Sequence, residues 1–114
     1  MGRPGQRNYG SIRLSKHAIE RFIERFGADP HAAESILRQV LSRTRRLGRN
    51  PRNRAIATIA NHEGNAIVAI LQNDTCITVL TWDQFEPCLG EFGRPKLPRK
   101  WGRFLRRLSD LQSF

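Results

Sequence analysis

The chain has little cysteine, no long apolar run and, across its middle third, no positive charge. Nothing in its 114 residues approaches 18 consecutive apolar positions, so no segment reads as a membrane-spanning helix. The opening, MGRPGQRNYG, is basic and polar and has no apolar stretch of the kind a secretory leader carries. The two cysteines, Cys76 and Cys88, lack CxxC spacing, so the sequence encodes neither a zinc site nor a disulfide framework. Two isolated thiols fit a reducing cytoplasm. Lysine is scarce as well. Arginine makes up 17 of the 20 cations, and it is the cation suited to bidentate phosphate contacts. There is no internal repeat and no low-complexity tract.

What charge there is lies unevenly. The net charge is +10. Residues 1–54 hold 13 Lys/Arg against 4 Asp/Glu, residues 55–92 hold none against 5, and residues 93–114 hold 7 against 1. A general bias toward arginine would not segregate it this way. The two ends of the chain must supply a basic surface, and nucleic acid is the first partner such a surface suggests. Arg43, Arg45, Arg46, Arg49, Arg52 and Arg54 crowd one stretch and lead the phosphate-binding candidates. Arg38 joins them, as do Arg103 and Arg107 near the C-terminus. Contacts of this kind position a strand without reading its sequence.

By length the chain is one domain. Residues 1–10 read as a flexible basic arm and 11–114 as a single folded domain. Ser15 as N-cap and Gly27 beyond the C-terminus predict a helix over 16–26. Asp29-Pro30 opens a second helix. Its stripe of Ala33, Ile36, Leu37, Val40, Leu41, Thr44 and Leu47 carries it to Leu47, with Gly48 closing it. RLGRNPRNR (46–54) then reads as a basic loop. Three apolar runs follow: AIATIA (55–60), AIVAILQ (66–72) and CITVLTW (76–82). NHEGN and NDT between them are turn chemistry, with Gly64 and Asn73 suited to positive φ. Such short connections predict a three-stranded antiparallel meander, with SIRL (11–14) as an added edge strand. The runs are almost continuously apolar, so both sheet faces need at least partial cover. Residues 83–98 read as an irregular connector. In the last segment, Trp101, Phe104, Leu105, Leu108 and Leu111 share one stripe, which predicts a C-terminal helix. The expected fold is an α+β domain: two N-terminal helices, a three-stranded antiparallel meander and a C-terminal helix.

The first helix carries the candidate chemistry. His17, Arg21 and Arg25 recur every fourth residue and so form one row on a helix. Ile19, Phe22, Ile23 and Phe26 form its apolar stripe, which places the basic row on the side away from the core. An imidazole moves protons near neutral pH, and guanidiniums hold phosphate in fixed geometry, a combination suited to a phosphodiester. The plain alternative is a solvated face in which Glu20 and Glu24 pair with the arginines.

The same segment, LSKHAIERFIERFG, resembles the opening of small bacterial domains that begin with a Ser-x-His-Ala-x-x-Arg-x-x-x-Arg helix. Those domains continue with a second helix and a meander whose last strand is similar to Ile77-Thr78-Val79-Leu80-Thr81. Those domains are similar to the metal-independent ribonuclease toxins of the RelE/barnase-like superfamily, and the resemblance covers about residues 11–82. It implies a compact ribonuclease-type fold that uses no metal or other cofactor. His17, Arg21, Arg25, Thr78 and Thr81 fall on the family's motif positions. The implied chemistry is attack of a ribose 2′-OH on the adjacent phosphate, with His17 as acid or base and the arginines on the developing charge. Thr78 and Thr81 point to opposite faces of a strand, so a single site takes at most one of them. The implied partners are RNA, whether tRNA or ribosome-bound mRNA, and an acidic inhibitor protein covering the basic face.

The motif supplies no second acid or base. His62 and Glu63 in the first hairpin turn would fill that role if the turn folds over the cleft. A turn histidine otherwise faces solvent, as His31 is expected to do. Trp82, at the end of the last strand, either stacks on a base or closes the core. Two other functions fit the same sequence. One is a non-catalytic RNA- or DNA-binding accessory protein, which needs the basic ends but not His17. The other is an interaction domain whose arginines meet acidic protein surfaces.

Overall fold

The structure, a computed structural model, describes residues 6–93. The helix expected in the last segment, with Arg103 and Arg107, lies outside the described residues. In chain order the elements are β1 (Gln6–Arg7), β2 (Arg13–Leu14), α1 (Lys16–Phe26), α2 (Ala33–Leu41) and β3 (Thr44–Arg49). They continue with β4 (Ile56–His62), β5 (Asn65–Gln72), β6 (Thr75–Thr81), α3 (Trp82–Phe85) and a 3₁₀ segment over Glu86–Phe92. The class is α+β, and the sheet is larger than the meander expected. Its six strands run in the order β1-β3-β4-β5-β6-β2. All neighbours are antiparallel except β2, which pairs parallel to β6.

The two hairpins of the meander follow from their turn residues. Glu63 and Gly64 join β4 to β5, with φ of 52° and 82°. Asn73 and Asp74 join β5 to β6, with φ of 52° and 59°. Two-residue loops with both central φ positive have the twist that antiparallel strands need. The first helix is also as expected. Ser15 caps α1 by accepting the Ala18 N–H at 3.0 Å, and Gly27 ends it in the left-handed region at φ 66°.

The second helix stops six residues early. It ends at Leu41, and Thr44–Arg49 is a strand rather than helix and basic loop. Thr44 and Leu47 lie on the helical stripe of α2, yet both are also buried positions of a strand. A register shift between Arg46 and Gly48 lets Leu47 face inward and hides the period of two. Pairing with β4 then outweighs the continued helical period.

Two apolar layers cover the sheet. On one face Ala60, Ile67, Ala69, Leu71, Cys76 and Val79 pack under Ala18 and Phe22 of α1 and Ala33, Leu37, Val40 and Leu41 of α2. On the other, Leu47, Ala57, Ile59, Val68 and Ile70 meet Trp82, Phe85 and Phe92. Trp82 is thus a core residue, 7% exposed. The 3₁₀ segment sits so close to β3 that a Cβ at Gly48 would stand 2.3 Å from the Phe92 carbonyl oxygen.

Residues 6–10, expected within a flexible arm, are held in place. Gln6 and Arg7 pair with Arg45 and Thr44, and the Tyr9 N–H donates to the Leu41 carbonyl at 2.8 Å. The chain then leaves one edge of the sheet and reaches the other within a few residues. A flat sheet would place β1 and β2 five spacings apart, about 24 Å. The six steps from Arg7 to Arg13 reach at most about 21 Å, and a turn at Tyr9–Ile12 (Ile12 N–H to Tyr9 carbonyl, 3.1 Å) shortens them further. The sheet must therefore coil, with this strap as the chord of the curve.

Two measurements check this packing. Gly48→Ala drives a methyl into the Phe92 backbone and is expected to cost about 1–3 kcal/mol in urea unfolding. An unchanged midpoint would mean that the 3₁₀ segment does not lie against β3. Both cysteines are free thiols, and burial pushes Cys76 from the ordinary 9.0 up to about 12. Above pH 9 the unfolded thiol therefore ionises while the native one stays protonated, so this group's contribution to stability is lost as pH rises toward 12. The stability gap between wild type and Cys76→Ala is expected to narrow over that range. Cys88, half-buried, is expected to react with a thiol reagent at pH 8 well before Cys76.

Candidate nucleic-acid interface

β2 covers only the first two residues of β6, at Thr75 and Cys76. The carbonyls beyond lie on a free edge and need donors. The first helix supplies them. The Ser15 N–H donates to Cys76 O at 3.0 Å, and its hydroxyl donates to Ile77 O at 3.1 Å. At the far end of α1, Arg25 Nη1 donates to Val79 O at 2.7 Å. Ser15 and Arg25 of the opening motif thus clasp the helix to the strand edge.

This clasp corrects the orientation expected for the basic row. The innermost positions of α1 are Ala18 and Phe22, whereas Ile19, Ile23 and Phe26 are half-buried. That rotation brings Arg25 onto the flank beside β6 instead of the outer face. Arg21 pairs with Glu24 on the next turn, and its Nε is shielded from solvent without a hydrogen-bond partner. His17 is exposed in the first turn.

The expected catalytic set divides into separate places. Arg25 and Thr81 meet in a pocket of about 230 Å³, together with Phe26, Asn65, Ala66, Trp82 and Asp83. Thr81 already has a structural task there. Its hydroxyl accepts the Gln84 N–H at 3.3 Å while the Gln84 side chain accepts the Thr81 N–H at 3.0 Å, a capping box for α3. His17 lies eight residues from Arg25, about 12 Å along the helix, and does not line this pocket. Thr78 pairs with Ile70 and Thr81 with Ile67, which puts them on opposite faces. His62 does not fold over a cleft or face solvent. It is 9% exposed, with its ring 5.4 Å from that of Phe22.

The phosphate candidates divide too. Arg38 is committed to the fold: Nη1 donates to Gly10 O at 3.1 Å and Ile12 O at 2.8 Å, and Nη2 to Glu34 at 3.3 Å. Arg43 makes one long bond to Asn61 O, at 3.4 Å. Arg46, Arg49, Arg52 and Arg54 are exposed along β3 and the turn after it. That turn is built by its asparagines. Asn50 Oδ1 accepts the Arg52 N–H and Asn53 Oδ1 the Ala55 N–H, both at 2.9 Å, while Gln72 Nε2 donates to Asn53 O at 2.8 Å. Arg13 joins Arg49 and Arg54 around a second, larger cavity, a grouping no sequence spacing signals because only the strap brings them together.

Among the described residues no three metal-ligating side chains cluster, and no helix is long and apolar enough to cross a membrane. No protein-family model, curated protein or solved structure matches the chain.

The edge clasp and the row give opposite expectations for two variants. Arg25→Ala leaves the Val79 carbonyl unpaired and is expected to cost about 1–3 kcal/mol in urea unfolding. His17→Ala changes an exposed group and is expected to stay within about 0.5 kcal/mol of wild type. Equal effects would remove the structural role assigned to Arg25.

Proposed function

We propose that this protein binds RNA through the arginines of β3 and the turn that follows it. The carrying observation is that Arg46, Arg49, Arg52 and Arg54 lie exposed on one continuous stretch while Arg25 and Arg38 are spent on backbone carbonyls. Charge of this kind contacts the phosphate backbone and brings a steep salt dependence. The choice of RNA over DNA rests on the resemblance of the opening helix and last strand to the RelE/barnase-like ribonucleases.

One observation favours a second reading, metal-independent RNA cleavage: Arg25 and Thr81, both motif positions, line one pocket. An acidic inhibitor would accompany that reading. Against it, His17 lies about 12 Å along the helix from Arg25, and His62 is packed against Phe22. No second acid or base stands beside His17 among the hydrogen bonds and ring contacts of the described residues.

Fluorescence anisotropy with a single-stranded RNA octamer across a salt series tests the binding reading. Each phosphate contact on a single strand contributes about 0.7 to the slope of log affinity against log salt. Replacing Arg46 and Arg52 with Ser is expected to lower the slope by about 1.4. A slope that does not move would show that this surface is not the RNA site. Incubating total RNA with the protein in EDTA separates the two readings. Intact RNA is expected with wild type; cleavage that is lost in His17→Ala would establish the second reading instead.

A further inference from the structure

A cavity of about 700 Å³ lies where the strap crosses the end of the sheet formed by Arg49, Ile56, Gln72 and Thr75. It is at the opposite end of the sheet from the Arg25–Thr81 pocket, which sits by Asn65 and Thr81. Its volume falls within the roughly 300–1,000 Å³ of small-molecule and cofactor sites. Its walls are of two kinds. Tyr9, Ile12, Ile56 and Leu71 give an aromatic and aliphatic lining. Arg13, Arg49 and Arg54 supply three guanidiniums against a single carboxylate, Asp74. None of the three is held by another side chain or carbonyl among the described residues, in contrast to Arg25 and Arg38.

The cavity is also preformed. Arg38 grips the strap at Gly10 O and Ile12 O, the Tyr9 N–H is held by Leu41 O, and the Arg13 N–H donates to Asp74 O at 3.2 Å. Arg54 sits at φ 63°, a left-handed conformation that is strained for a non-glycine residue. The Asn50 carbonyl accepts its N–H at 2.9 Å and holds it there. A partly apolar pocket lined by three uncommitted arginines suits a ligand that joins a flat ring to a phosphate.

We propose that this cavity seats one nucleotide, with its phosphate on Arg13, Arg49 and Arg54 and its base against Tyr9, Ile12 and Ile56. The nucleotide is a unit of a bound RNA strand, a source that rests on the RNA-binding reading above, or a free nucleoside monophosphate. The recognition chemistry is the same in both.

The test is a backbone amide NMR titration of the full chain with adenosine 5′-monophosphate, with adenosine and inorganic phosphate as separate probes. The expected result is saturable shifts at Tyr9, Ile12, Arg13 and Leu71–Asp74, with the nucleotide bound at least tenfold more tightly than either fragment. Arg54→Gly removes one guanidinium while relieving the positive φ, so the fold is retained; it is expected to weaken nucleotide binding about tenfold. Arg13→Ala is expected to act the same way. Nucleotide addition that leaves these amides unmoved, or binding indifferent to both variants, overturns the proposal. The RNA octamer distinguishes the sources. Shifts at the same amides assign the site to a strand. Nucleotide shifts at these amides beside octamer binding that leaves them unmoved assign the pocket to a free nucleotide and spare the RNA-binding reading. Nucleotide shifts without any octamer binding uphold the pocket for a free nucleotide and overturn the RNA-binding reading.

Discussion

Everything on the helical side of this domain depends on the unpaired edge of β6. A two-residue β2 leaves the carbonyls of Ile77 and Val79 without strand partners. Burying them unsatisfied would cost of order 1–3 kcal/mol each. The Ser15 hydroxyl and the Arg25 guanidinium answer one carbonyl each, ten residues apart on the same helix. The helix is thereby fixed in rotation as well as position, and Ala18 and Phe22 come to face the sheet. A motif that reads as catalytic in sequence is, at two of its positions, an edge-sealing device.

The arginines therefore do two kinds of work. Arg25 and Arg38 are donors to backbone oxygens, where a planar fork can satisfy one or two carbonyls at once. Arg13, Arg46, Arg49, Arg52 and Arg54 form no such bond among the described residues and leave their charge to solvent or ligand. Composition cannot separate these roles, because both kinds of arginine lie in the same basic half of the chain.

Local signals were legible, and distant ones were not. The N-cap Ser15, the left-handed Gly27, and the turns at Gly64 and Asn73 could all be read from a few neighbouring residues, and each stands where expected. β3 could not, because Thr44 and Leu47 continue the helical period of α2 and a bulge conceals the strand period. The strap was also hidden: nothing in NYGSIRL says that Arg38, 26 residues beyond Ile12, will hold it. Candidate residues taken by type fared unevenly for the same reason. His62 looked available in a turn, but its position on β4 places its ring against Phe22.

One consequence of the strap concerns the rims of the sheet. β1 pairs along one outer strand and β2 along the other, and both come from residues 6–14. Exposed strand edges invite pairing with other chains. Here a single short segment shields both, so the two rims cannot open independently. Peeling the N-terminal segment away would bare a stretch of β3 and a stretch of β6 at once. A stretch that begins in the sequence as a basic arm is thus a border of the sheet on both sides.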